Sequence, residues 1–173
     1  MIHAELFNYL ASITSVIAFL FAGYQFFQWR KQQRHSLELE SILNMEDRFE
    51  ILVASNMKVV ADLQKAKEIA KSSRDKTREE KIQIDAWLKN QFVESVKTAQ
   101  IHAYECADRY RLACFRAKRL GFDVEKTDVL QCKWIVDQFS SFIENDMSTE
   151  EISKAIFEIK NEASEKFATL RKI

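Results

Sequence analysis

Apolar residues along this chain follow two patterns, and the change falls near residue 30. From Leu6 to Trp29 there are 24 consecutive residues without a charge, with the core LASITSVIAFLFAGYQFFQW. At 1.5 Å per residue, a helix of that length spans roughly 36 Å, enough to cross a hydrocarbon core with some tilt. Tyr24, Phe26, Phe27 and Trp29 gather at its far end, as an aromatic belt at the headgroup level would. The run is too long for a signal-peptide apolar region and has no basic segment before it. The pattern therefore predicts an uncleaved transmembrane helix.

Beyond residue 35 the pattern becomes amphipathic. Over Ser36 to Lys71, Ile42, Met45, Phe49, Leu52, Val59 and Leu63 recur at a spacing near 3.5, which predicts a helix. Nothing between Arg30 and Ser36 breaks the chain, so this helix is free to continue from the first. The polar stretch Lys71 to Lys81 predicts a loop. A long helix is expected from Thr77 to Leu120, with Leu88, Phe92, Val96, Ala99, Ala103, Cys106, Tyr110, Ala113, Ala117 and Leu120 on its apolar stripe. Gly121 follows Lys118 and Arg119 and has the position of a helix-ending glycine. A third helix is expected over Glu125 to Glu144, with Val129, Ile135, Val136, Phe139, Phe142 and Ile143 inward. The fourth opens on Ser148-Thr-Glu-Glu151, the pattern of a capping box. It carries Ile152, Ile156, Ile159, Ala163, Phe167 and Leu170 inward. The predicted fold class is all-α. Residues 1–35 form a transmembrane helix with its flank, and residues 36–173 form a helical bundle with long helices.

Composition narrows the alternatives. The 173 residues include two Gly and no Pro, against about twelve and nine at average usage. Sandwiches, propellers and doubly wound sheets need more turn residues than that, and no glycine-rich phosphate loop can be written. Total charge is balanced, 26 Lys+Arg against 26 Asp+Glu, yet residues 1–29 hold only Glu5. The basic flank Arg30, Lys31 and Arg34 follows the apolar run. The positive-inside rule then predicts a single-pass protein with its N-terminus outside and its bundle in the cytoplasm. Cys106, Cys114 and Cys132 are accordingly expected as free thiols.

The apolar run carries a seam. Asn8, Ala11, Ser15, Ala18, Ala22 and Gln25 are spaced 3, 4, 3, 4, 3, and every member is small or polar. Small residues let helix backbones approach, and Asn or Gln can bond across the contact. The seam predicts self-association. Asn8, Ser12, Ser15 and Gln25 also suit a water-facing lining in a ring of helices.

Little else points to chemistry. His102 and Cys106 share one helix face, but two ligands do not make a structural zinc site, and neither metal nor cofactor is expected. Arg109, Arg111, Arg116, Lys118 and Arg119, with Tyr110 and Phe115 interleaved, have the look of a nucleic-acid patch. Cations also gather at helix C-termini, and total charge is neutral, so RNA contact is not the first expectation.

Arg30 and His35 form an Arg-x4-His pair, a pattern used by helical RNases of the HEPN class. With the single apolar run, the basic flank and the helical domain, this layout resembles the small membrane accessory protein of type VI-B CRISPR systems. The resemblance implies a homo-oligomeric ring with a pore in the bacterial inner membrane. It would partner a guide-directed RNase and enhance antiviral defence by permeabilising or depolarising the membrane. It also implies that Arg30 and His35 lie near the cytoplasmic mouth, and no enzymatic activity is expected. Two alternatives need less: a membrane-tethered helical scaffold without a pore, and a membrane-bound HEPN-like RNase using Arg30 and His35.

Overall fold

The computed structural model describes the backbone of residues 2–72, 77–87, 92–122, 124 and 127–172. It describes their side chains apart from those of 2–12, 78, 79, 81, 84 and 85. Helix α1 runs Ile2–Ser72, α2 Arg78–Trp87, α3 Val93–Arg119, α4 Cys132–Glu144 and α5 Thr149–Leu170, with a 3-10 turn at Asp128–Leu130. No strand occurs among the described residues, and the protein is all-helical. It divides into two compact units, residues 1–40 and 41–173.

The first unit corrects the transmembrane expectation. Among the described residues, no helix is long and apolar enough to cross a membrane. Thr14, Ser15, Gln25 and Gln28 break up the uncharged stretch of α1 with polar groups. A single-pass placement in the inner membrane, with an outside N-terminus and a cytoplasmic bundle, therefore loses its support.

The second unit carries the core. Its centre is built from Met45, Phe49 and Leu52 of α1, Tyr110 of α3, Ile135 of α4 and Phe167 of α5, each essentially without solvent exposure. Phe49 stands edge-on to both Tyr110 and Phe167, with ring centroids 6.0 and 5.7 Å away, an arrangement that adds to the area term. The α3 face is almost entirely small: Ala99, Ala103, Cys106, Ala107, Ala113 and Ala117 are all buried. Val59 of α1 packs there with Ala99 and Ala103. Short side chains let a neighbouring helix pack closely, so an alanine-rich stripe can serve as a core face.

Helix ends follow the local sequence. Gly121 has φ +100°. Its N–H donates to the Lys118 carbonyl and that of Phe122 to the Ala117 carbonyl, at 3.0 and 3.1 Å. This is a Schellman ending, and Phe122 is buried beside it. Asp146, at φ 49°, ends α4 in the same way, with the Met147 N–H on the Phe142 carbonyl at 3.3 Å. The capping box at Ser148 and Glu151 is formed in full.

One boundary differs from expectation. The described parts of the expected helix over Thr77 to Leu120 are helical, as α2 and α3, and residues 88–91, including Leu88, lie outside the described residues. The expected third helix from Glu125 begins only at Cys132. Thr127 and Gln131 are both extended and bracket the 3-10 turn. That turn buries Val129 and Leu130.

Candidate functional site

In the first unit, the seam residues Ser15, Ala18, Ala22 and Gln25 are solvent-exposed. At 100° per residue they share an arc of roughly 80° on α1. Asn8, Ala11 and Ser12 lie outside the described side chains. Around the seam the helix is apolar on every side. Ile13, Val16, Ile17, Phe19, Leu20, Phe21, Tyr24, Phe26, Phe27 and Trp29 are each at least 45% exposed, and Phe19 reaches 80%. The aromatic end is organised internally: Phe26 lies 6.0 Å from Trp29, and the Gln28 amide donates to the Tyr24 hydroxyl at 2.9 Å. A pore-lining role for the seam needed a membrane-crossing helix, and the described residues do not provide one.

The Arg30/His35 pair is not assembled within one chain. Both residues are exposed on the continuous helix α1. Five residues apart, they point about 140° away from each other. Arg30, Lys31, Arg34 and His35 therefore form an open basic flank, in which the Arg34 guanidinium bonds Glu38 at 2.9 Å.

In the second unit the sequence's basic run splits. Tyr110 turns fully inward, and its hydroxyl donates to the Leu130 carbonyl at 2.7 Å. Burial pushes its phenol far above the ordinary value, with Cys114 adding to the effect. Arg111, Phe115 and Lys118 share another face of α3 and line a groove of about 600 Å³ with Lys133 of α4. Cys114 and Cys132 also line it. Burial pushes the Cys114 thiol up to about 11. Burial raises Cys132 too, while the neighbouring Arg111 guanidinium opposes the shift. Thiols held protonated are poor nucleophiles and poor metal ligands. The His102 ring nitrogen Nε2 lies 3.7 Å from Cys106 Sγ. Among the described residues, no group of three or more His, Cys, Asp or Glu side chains converges for a metal ion.

The groove was not visible in the sequence as a site. Lys133 stands 15 positions beyond Lys118 and on a different helix. The one sequence signal was the i, i+4, i+7 spacing of Arg111, Phe115 and Lys118, which marks a shared helix face.

Comparison with protein-family models, curated proteins and solved structures finds no match for this chain.

Proposed function

We propose that the protein is a self-assembling helical scaffold. Its apolar α1 segment, residues 13–29, packs against the same segment of further copies and gathers their 41–173 units. One observation carries this reading: ten large apolar side chains stand exposed around a seam of small and polar residues in heptad spacing. At about 150–250 Å² for each aromatic alone, the exposed side chains offer on the order of 1,000 Å². A stable interface needs about 800 Å² per partner. Helices that are apolar all round need a partner on more than one side, which favours several copies over a pair. Ser15, Ala18 and Ala22 would sit at the closest approach, with Gln25 bonding across the contact.

The test is the subunit mass of the full chain by light scattering, alongside Ala18→Glu and Ala22→Glu. The expected result is a discrete multi-subunit species that both substitutions reduce to smaller forms, with helical circular dichroism kept. A wild-type monomer at tens of micromolar, well folded, would overturn the scaffold. So would an oligomer indifferent to both substitutions.

A further inference from the structure

Helix α3 is apolar on two sides, and the sizes are reversed. Its buried face is mostly alanine, while Ile101, Tyr104, Leu112 and Phe115 stand between 52% and 70% exposed. Single exposed apolar residues are ordinary, but these four fall within an arc of roughly 80° on one helix, which marks an interaction surface. The exposed residues also keep a register. Ile101, Tyr104, Asp108, Arg111 and Phe115 are spaced 3, 4, 3, 4, a heptad stripe, with Leu112 on its flank. At the middle of the stripe stand one acid and one base. Asp108 and Arg111 pair within the chain at 3.1 Å, and both side chains stay more than 60% exposed.

Self-complementarity decides the occupant. When two copies of one helix pack antiparallel about a two-fold axis, each position meets its counterpart in reverse order. The register that lays Asp108 against the second copy's Arg111 also lays Tyr104 against the second copy's Phe115, because both pairs are centred between positions 109 and 110. The axis repeats each contact, giving two ion pairs flanked by two aromatic contacts. A parallel pair would instead set Asp108 beside Asp108 and Arg111 beside Arg111, which repel. We infer that two copies of this chain pair antiparallel through α3, along the stripe from Ile101 to Phe115. The four apolar side chains offer on the order of 400 Å² per copy, below the about 800 Å² of a standard partner face. The contact is therefore weak and reversible by itself. It lies within the 41–173 unit and does not depend on assembly through residues 13–29.

Sedimentation equilibrium on the full chain carrying Ala18→Glu and Ala22→Glu decides the matter, at concentrations up to about 100 µM. The expected result is a reversible monomer–dimer equilibrium. Asp108→Arg and Arg111→Asp should each weaken it about tenfold or more, since each sets like charges against one another. An equimolar mixture of the two variants should dimerise again, because each supplies the charge that the other lacks. Both positions are exposed, and circular dichroism checks that the helices are kept. A monomer throughout that range, equal association by all variants, or a mixture no more associated than its components overturns the inference. Failure of the assembly through residues 13–29 reads differently: a mass unchanged by Ala18→Glu and Ala22→Glu, yet lowered by Asp108→Arg.

Discussion

Residues 13–40 and residues 41–173 use the same apolar vocabulary to opposite ends. In the second unit the buried apolar positions fall on one stripe per helix, and the stripes find one another: Ile42, Met45, Phe49 and Leu52 meet Tyr110, Ile135 and Phe167. In the first, apolar residues surround the helix, and Val16, Phe19, Leu20 and Phe27 remain 60% exposed or more. The difference teaches that hydrophobic content does not decide burial within a chain. A one-sided stripe can be satisfied by neighbours with stripes of their own. An all-round one needs more partners than the chain's other helices supply.

The sharpest way to break this comparison is to cut the same side chain from each region. Phe49→Ala should lower unfolding stability by about 3–5 kcal/mol, because Tyr110 and Phe167 lose a shared ring. Phe19→Ala should change it by no more than about 0.5 kcal/mol in the dispersed protein. Denaturant melts of both variants check this, and equal losses would mean that Phe19 has a partner within its own chain. Next in size is Tyr110→Phe, which leaves the Leu130 carbonyl without its donor and should cost about 1–3 kcal/mol. The same buried phenol makes an alkaline prediction. Its folded pKa lies above its unfolded value, so the folded state resists ionisation. Stability should then fall as pH rises past the ordinary tyrosine range near 10. An ultraviolet titration should show Tyr110 ionising only with unfolding.

Smaller still is the cap of α5. Ser148→Ala removes the acceptor for the Glu151 N–H and should cost about 1 kcal/mol, read in the same melts. The smallest effect concerns acid. Lys67 and Lys71 hold the Asp146 carboxyl below its usual value, and bonds from Ser148 do the same for Glu151. Their folded pKa values are depressed, so their stabilisation is present above the ordinary carboxylate range. It is lost as pH falls through the depressed values. Melts from pH 6 down to pH 3 should show a shallow decline, reduced in Glu151→Gln. High salt should mimic the loss at Asp146 but not at the capping box.

Much of the second unit was legible from residue spacing. The α1 stripe, the Gly121 stop and the Ser148 box each depend on interactions within a few residues, which a sequence displays directly. Val53, Val60 and Ala107 are buried beside the stripes, and the spacing alone did not single them out. The late start of α4 was hidden because Val129 keeps a helical period with Ile135 and Val136 although a 3-10 turn intervenes. The transmembrane expectation counted uncharged residues and gave too little weight to the polar groups of Thr14, Ser15, Gln25 and Gln28 among them. The groove joins Phe115 to Lys133, and no local pattern announces a tertiary meeting.

The alanine face of α3 also bears on how this protein can change over time. Most core positions can drift by trading one branched side chain for another of similar volume. Ala99, Ala103, Ala107, Ala113 and Ala117 have no such neutral neighbours. Trimming them leaves only glycine, at about 1 kcal/mol of helix propensity each. Enlarging them pushes apart helices already in close contact, at about 1–3 kcal/mol. Among diverging copies of this chain, α3 should therefore be the slowest surface to vary, and its alanines a better signature of descent than the bulky residues they face.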